Sequence, residues 1–256
     1  MSESVIITGA GSGIGRAAAL VFAANGYCVI ASGRRLAKLE ETRDLASTGA
    51  GAIIPVAGDV GLADTAAELI AVAKANGSLA SLVNNAGIGW NYGVDHPGSM
   101  AALKDTSYEQ WREVLRINLD SVFHLCHAAL PVMLSQGHGS IVNVASGGGL
   151  RGMDDAHTYA TAKAGVINLT RSLARAYGPN GIRANVVAPG FVDTDMVESV
   201  LASDMNPFAD DTLRFQVSPL GRPGTPEEIA DTLYFMAITA TYCNGSVLTV
   251  DGGSLA

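Results

Sequence analysis

The sequence predicts an α/β chain built on a doubly wound, seven-stranded parallel sheet. Two observations point there. Short β-branched runs alternate along the chain with longer Ala/Leu-rich stretches, the order expected of strands joined by right-handed helical crossovers. Most of the short runs are apolar at nearly every position, as in parallel strands covered on both faces. The expected strands are Val5–Thr8, Tyr27–Ala31, Gly51–Val56, Leu79–Val83, Ser140–Val144, Arg183–Val187 and Val247–Val250. Between them the helices are expected at Gly15–Ala24, Leu36–Ala46, Ala63–Ala75, Tyr108–Asn118, Asp120–Leu134, Thr158–Tyr177 and Pro226–Ile238. Pro226 followed by Glu227 and Glu228 suits a helix first turn, where a missing N–H costs nothing and negative charge meets the positive dipole end.

Composition narrows the function. The 256 residues are 48% hydrophobic and 16% charged, enough apolar material for a core and too little charge for disorder. No repeat or low-complexity linker interrupts them, so one domain over 1–256 is expected. A net charge of −8, with no Lys/Arg run longer than two, speaks against nucleic acid. Cys28, Cys126 and Cys243 are odd in number and far apart, as in reduced thiols of a cytoplasmic protein. The N-terminus lacks a basic region and a cleavage site, so no signal peptide is expected. The longest near-apolar uncharged stretch, Ala17 to Gly33, is too short to span a membrane.

After the first strand comes Thr8-Gly9-Ala10-Gly11-Ser12-Gly13-Ile14-Gly15. Glycine here allows a tight turn and a close backbone approach to a pyrophosphate, and the helix behind it offers free N–H groups. The same spacing would also serve a tightly packed turn that binds nothing. At the end of the second strand a dinucleotide site that takes NAD places an acid for the adenosine 2′-hydroxyl. This chain reads Gly33-Arg34-Arg35 instead. A neutral space followed by a guanidinium suits a 2′-phosphate, so NADP(H) is favoured and NAD(H) stays possible.

Tyr159 and Lys163 stand four apart, on one face of a helix. A cation about 4 Å away at an effective dielectric of 20 contributes about 4 kcal/mol, enough to bring a phenol of pKa about 10 close to neutrality. His124 and His127 lie three apart on an apolar helix with no further ligands in the pattern, so no metal is expected.

In these motifs the sequence resembles the short-chain dehydrogenase/reductase family. The likeness runs through Thr8 to Gly15, Asn84-Asn85-Ala86-Gly87, Asn118, Ser146, Tyr159 with Lys163, and Pro189-Gly190, with Ser146 standing 13 residues before Tyr159. The resemblance implies a Rossmann-like fold and hydride transfer between a nicotinamide cofactor and a secondary alcohol or ketone. Tyr159 would be the general acid/base, Lys163 would lower its pKa and bind the nicotinamide ribose, and Ser146 would hold the substrate oxygen. Asn118 would hold a relay water through its backbone carbonyl. Cofactor contacts are implied for Gly9, Ser12, Gly13, Ile14 and Gly15, for Arg34, for Asp59 and Val60, and for Asn85, Ala86 and Gly87. Pro189, Gly190, Val192 and Thr194 would follow at the nicotinamide. A homotetramer is implied, with the helices Asp120–Leu134 and Thr158–Tyr177 pairing between subunits.

Alternatives were weighed on the same residues. An NAD-dependent alcohol or polyol dehydrogenase differs only at Arg34. A non-catalytic dinucleotide-binding regulator would need no complete set of Asn118, Ser146, Tyr159 and Lys163. Enoyl reductases that resemble the family use a wider Tyr–Lys spacing than this one. A likeness to 3-oxoacyl-carrier-protein reductases, including Gly221 to Glu228, leaves the substrate open. Two less regular stretches remain. Gly87 to Thr106, with Trp90, Asn91, Tyr92, Asp95 and His96, is longer than in short members and is expected at the crevice rim or against a neighbouring subunit. Asp193 to Pro219, with Met196, Met205, Phe208 and Phe215, is expected to be a substrate lid. Arg151, Asp154, Asp155 and His157, so near Ser146 and Tyr159, suggest a partly polar substrate; a solvated loop is the preferred reading.

Overall fold

The computed structural model describes residues 3–46, 51–203, 206–210 and 212–256; Met205 lies outside them. Seven strands, β1 (Glu3–Thr8), β2 (Cys28–Gly33), β3 (Ala52–Ala57), β4 (Ser78–Asn84), β5 (Gly139–Val144), β6 (Ile182–Pro189) and β7 (Val247–Val250), form one parallel sheet in the order β3-β2-β1-β4-β5-β6-β7. The expected strands are all present, with no end displaced by more than two residues; β2 and β3 begin one residue late and β7 keeps its expected bounds. Pro55 sits in β3, an edge strand where its missing N–H is tolerated.

Strand side chains alternate between two cores. Ile6 of β1 enters one apolar cluster while Val5 and Ile7 enter the other, the period-2 alternation of a pleated strand. The helices divide accordingly. Helices α1 (Gly13–Ala24) and α2 (Leu36–Asp44) cover one face, where Phe22 and Leu39 are fully buried. Helix α3 (Ala63–Ala75) covers the other through Leu69 and Ala73. The short α4 (Trp90–Asp95) follows β4. Helix α5 (Tyr108–Leu115) begins with a capping box between Ser107 and Gln110, and α6 (Ser121–Gln136) packs Leu125, Ala129 and Met133 beside α3. Helix α7 (His157–Tyr177) adds Val166, Ile167 and Leu173 to the same face. After the short α8 (Glu198–Leu201) and α9 (Leu213–Val217), α10 (Pro226–Tyr234) returns to α1, placing Ile229 and Leu233 in its core. Its first turn has Pro226 at the start and a capping box between Thr225 and Glu228.

Several helix ends differ from expectation, two of them by a change of helix type. The helix expected over Tyr108–Asn118 is α-helical only to Leu115 and then widens into a π turn over Arg116–Asp120 that runs into α6. The helix expected to end at Ile238 does the same over Phe235–Thr239. A one-residue widening leaves the apolar periodicity almost intact, so the sequence pattern does not reveal it. Helix α2 stops at Asp44 rather than Ala46. The continuous helical run Tyr108–Gln136 is long and apolar enough to cross a membrane by length and composition, but half of its most apolar window is buried inside the protein.

A buried polar bridge fixes α7 against the sheet. Asn84 of β4 donates to Asn143 of β5 at 2.8 Å, and Asn143 donates to Thr170 of α7 at 2.8 Å. The strand order reverses between β1 and β4, and the turns after these two strands open the crevice that holds the candidate site.

Candidate active site

The β1–α1 turn is a cradle that side chains would fill. Gly9 is left-handed (φ +70°), and a Cβ there would stand 2.9 Å from Asn85 Nδ2. A Cβ on Gly15 would lie 2.2 Å from the Gly9 carbonyl oxygen. Gly13 is also left-handed, with Thr194 packed where its side chain would be. Ser12 is the N-cap of α1 but its hydroxyl caps nothing, and the first turn carries no acid. The first N–H groups of α1 are therefore left for an anion. Asn85 locks this turn to the end of β4. Its amide donates to the Thr8 carbonyl at 2.9 Å, while its backbone N–H and that of Ala86 both donate to the Thr8 hydroxyl at 3.0 Å. These contacts fit a pyrophosphate passing over the turn.

A cleft of ≈ 570 Å³ runs across these turns. Its walls include Gly9, Ser12, Gly13, Ile14, Arg34, Asp59, Val60, Asn85, Ala86, Gly87 and Thr194 of the expected cofactor residues. Gly15 lies behind the wall and is buried. Pro189, Gly190 and Val192 do not line the cleft. Val192 is buried and bridges to Gly224, and Gly190 passes so close to Asp251 that a Cβ would meet its Cα at 2.7 Å. At the β2 end Arg34 is exposed and, among the described residues, forms no ion pair; Arg35 and Lys38 stand beside it, with Lys38 held by Glu41 at 2.8 Å. Asp59 is bound by Arg116 at 3.0 Å and by the Gly61 N–H at 2.9 Å. Burial pushes its pKa up, but these donors and the field of Arg34 outweigh that and hold it below the usual range. No motif marks Arg116, which reaches Asp59 from the π turn and also pairs with Glu113.

None of the four residues expected to act together is part of the cleft wall; Asn118 and Lys163 lie behind Gly87 and Ile88, which belong to it. Lys163 Nζ donates to the carbonyl of Val144, the last residue of β5, at 3.0 Å. The Ser146 hydroxyl acts on the Tyr159 phenol, and its Oγ accepts from the Gly148 N–H at 3.1 Å. Asn118 is fully buried in the π turn. Its amide oxygen accepts from the Ile88 N–H at 3.1 Å, and its amide nitrogen donates to the Ile88 carbonyl at 3.2 Å. Gly87 sits between the parts, because a Cβ there would lie 2.7 Å from Asn118 Oδ1 and 3.4 Å from Lys163 Nζ. Gly149 lets α7 approach, since a Cβ on it would meet the Lys163 carbonyl carbon at 2.8 Å. Ala156, just before α7, adopts the left-handed conformation (φ +48°) while its N–H bonds the Met100 carbonyl. That conformation costs a non-glycine residue about 1–2 kcal/mol and sets where the helix carrying Tyr159 begins.

The electrostatics correct one expectation. Burial pushes the Tyr159 phenol up, and the Ser146 hydrogen bond only partly opposes it. Burial likewise pushes Lys163 down to about 8. Lys163 Nζ lies 5.7 Å from the Tyr159 ring centre, and in the cofactor-free protein desolvation outweighs the attraction between ammonium and phenolate.

The two irregular stretches meet over the cleft. The Asn91 N–H donates to the Met196 carbonyl at 2.9 Å, and Met196 fills the space above Gly89. Trp90 stands edge-on to Tyr159 with ring centres 5.4 Å apart, and Tyr92 stacks on His96. Of the expected lid, the part Thr194–Met196 with Glu198 lines the cleft; Phe208 packs on Phe191, and Phe215 is exposed. Arg151, Asp154 and Asp155 are solvent-exposed, and His157 bonds the backbone of Leu103 and Met153. Among the described residues no cluster of His, Cys, Asp or Glu could hold a metal ion.

Known proteins resemble this chain along nearly its whole length. The family model described as enoyl-(acyl carrier protein) reductase matches residues 9–254. The chain is 37% identical over 250 residues to a 3-oxoacyl-[acyl-carrier-protein] reductase of Thermotoga maritima, covering 97% of this chain and 96% of that one. It is 34% identical to a cyclohexanol dehydrogenase of an Acinetobacter species, covering 98% and 94%. A solved structure from Beutenbergia cavernae, described as an NAD(P)-dependent gluconate 5-dehydrogenase with bound NADP at low occupancy, superimposes with a TM-score of 0.85 at 35% identity, covering 99% and 96%. With the sheet order, the glycine cradle and relatives of this similarity along nearly its whole length, the chain belongs to the short-chain dehydrogenase/reductase family of oxidoreductases.

Proposed function

We propose that the protein transfers hydride between NADP(H) and a secondary alcohol or ketone, with Tyr159 as general acid/base. The observation that carries this reading is the convergence of Asn118, Ser146, Tyr159 and Lys163 at the end of the glycine cradle. A bound nicotinamide would supply or accept the hydride. The cradle from Gly9 to Gly15, with Asn85 to Gly87, would hold its pyrophosphate; Asp59 and Val60 would flank the adenine and Arg34 would meet the 2′-phosphate. Val192 and Thr194 would lie beside the carboxamide.

The remaining chemistry belongs to the chain. Ser146 holds the substrate oxygen, and Tyr159 delivers a proton to it in reduction or takes one from it in oxidation. The phenol is protonated at neutral pH and so available as donor, though burial makes it a weaker acid than a free phenol. Lys163, at about 8, is still largely protonated at pH 7 and keeps a positive charge beside the phenol. The Asn118 backbone carbonyl holds a water that returns the proton to solvent. The spacing of Tyr159 and Lys163 supports carbonyl rather than enoyl reduction.

Tyr159→Phe tests this. Turnover should fall by at least about 10²–10⁴-fold, the usual worth of a positioned acid/base, while the Kd for NADPH stays unchanged by fluorescence. Wild-type turnover in that variant refutes the mechanism. The absence of turnover on any alcohol or ketone, with NADPH bound, would favour a regulator.

A further inference from the structure

We propose that the substrate is an uncharged secondary alcohol or ketone carrying an apolar ring, and that Trp90 selects it; this deepens the reading above and rests on it. A molecule whose oxygen lies on the Tyr159 and Ser146 hydroxyls must place its carbon skeleton against whatever flanks the phenol. Trp90 flanks it, half-buried and edge-on, with ring centres 5.4 Å apart. Met153 packs on the same cluster, its sulfur so close to Gly148 that a Cβ there would stand at 2.5 Å. An indole and a thioether offer broad, polarizable contact and no ionic partner. The wall is held in place by the chain, because the Asn91 N–H bonds the Met196 carbonyl immediately after Trp90.

Charge points the same way. On the α4 and α8 side the cleft is lined by three exposed carboxylates, Asp95, Asp195 and Glu198. Its lining cations all come from the β2–α2 turn, at the Arg34 end. An anionic substrate would meet like charge on that side of the cleft, whereas Trp90 and Met153, packed on the cluster that holds Tyr159, carry no charge.

The experiment uses the full-length enzyme with saturating NADP⁺ and three alcohols: cyclohexanol, 4-hydroxycyclohexanecarboxylate and 2-butanol. Cyclohexanol should show the highest kcat/KM, at least about tenfold above its carboxylate, since a charge left without a partner in such a site costs more than one factor of ten. Trp90→Ala should lower kcat/KM for cyclohexanol about tenfold or more and for 2-butanol about threefold or less, with Trp90→Phe intermediate, as expected when ring contact area is lost. The Kd for NADP⁺ should not move. Trp90 and Trp111 are the two tryptophans, so in a Trp111→Phe background the Trp90 emission of the NADP⁺ complex should change saturably with cyclohexanone. Preference for the carboxylate, equal losses on ring and chain in Trp90→Ala, or an unresponsive Trp90 emission overturns the proposal. If Tyr159→Phe is inactive while the Trp90 variants behave like wild type, only this inference fails. If Tyr159→Phe stays active, the reading beneath it fails.

Discussion

Replacing Arg34 should separate the two cofactors. The guanidinium is exposed at the end of β2, lines the cleft and, among the described residues, pairs with no carboxylate. Its neighbour Lys38 is committed to Glu41. Arg34, the first residue after β2, and Arg35, equally unpaired among the described residues, are therefore the cations left for a 2′-phosphate, and Arg34 is the one replaced. A hydrogen bond to a charged group is worth about 1.5–3 kcal/mol, or roughly 10- to 100-fold, and solvent exposure favours the lower end. Arg34→Ala should lower kcat/KM for NADP⁺ about tenfold and leave NAD⁺ within about twofold. The converse change is sterically open at Gly33. A Cβ there meets only Leu39 Cδ2, at an ordinary 3.5 Å, and the backbone is not left-handed. A carboxylate added at that point accepts from a ribose hydroxyl and repels a phosphate, the repulsion amounting to about 1–4 kcal/mol at 4 Å between dielectrics of 80 and 20. Gly33→Asp combined with Arg34→Ala should thus invert the preference. The assay is initial-rate formation of reduced nicotinamide with both cofactors at two ionic strengths, and the NADP⁺ advantage of the wild type should shrink as salt rises. An Arg34→Ala enzyme that loses equally with both cofactors, or with neither, refutes the assignment.

Two further outcomes concern buried charge. Arg183 donates from Nη1 to the carbonyls of Met236, Ala240 and Cys243 and from Nη2 to the Ala237 carbonyl and the Ser140 hydroxyl, tying β6 to the π turn after α10. Arg183→Met keeps the stem but strands those acceptors, and it should cost about 3 kcal/mol in urea unfolding; a loss under about 1 kcal/mol contradicts the role. Lys163 titrates at about 8 in the folded protein against an ordinary 10.5. The unfolded chain therefore binds the extra proton between those values, and stability rises with pH across that window. Below pH 8 the fold carries the full cost of the buried ammonium, about 3 kcal/mol, partly offset by about 1 kcal/mol from the bond to the Val144 carbonyl. Cofactor-free Lys163→Met should accordingly melt above wild type at pH 7, with the gap narrowing by pH 9.5. A lower melting temperature at pH 7 overturns the argument.

Much of this architecture could be read from the residues, for identifiable reasons. The central strands, buried on both faces, leave continuous apolar runs, the edge strands β3 and β7 are partly exposed yet still mostly apolar and β-branched, and α3 was legible to its bounds. Pro226 followed by Glu227 and Glu228 located the start of α10. Gly9, Gly13 and Gly15 were legible because only glycine tolerates their conformation or their contacts. What escaped depends on distance in the chain. The Asp59–Arg116 ion pair joins residues 57 positions apart and leaves no local pattern. The π turn that buries Asn118 changes the helix by one residue, within the tolerance of any apolar periodicity. The closure of Trp90 over Tyr159 and of Met196 over Gly89 arises where two irregular segments meet, and irregular segments have no period to read.

The Tyr159–Lys163 pair shows why spacing alone understates a site. Four residues along a helix place two side chains on one face, yet neither makes its polar contact with the other. The phenol turns to Ser146 and the ammonium to the Val144 carbonyl, both at the end of β5. Their chemistry is thus set by how closely α7 approaches that strand. Gly149 admits the backbone of Lys163, the Asn84–Asn143–Thr170 bridge holds the helix down, and Gly87 opens the gap through which Asn118 and Lys163 share one corner. Each glycine marks a place with no room for a methyl group, against the α7 backbone at Gly149 and against the Asn118 amide at Gly87. A side chain at any of them would push the strand end and the helix apart before it touched a reacting atom. The site is accordingly a property of the packing between β4, β5 and α7, and the burial that packing produces governs the protonation of both Tyr159 and Lys163.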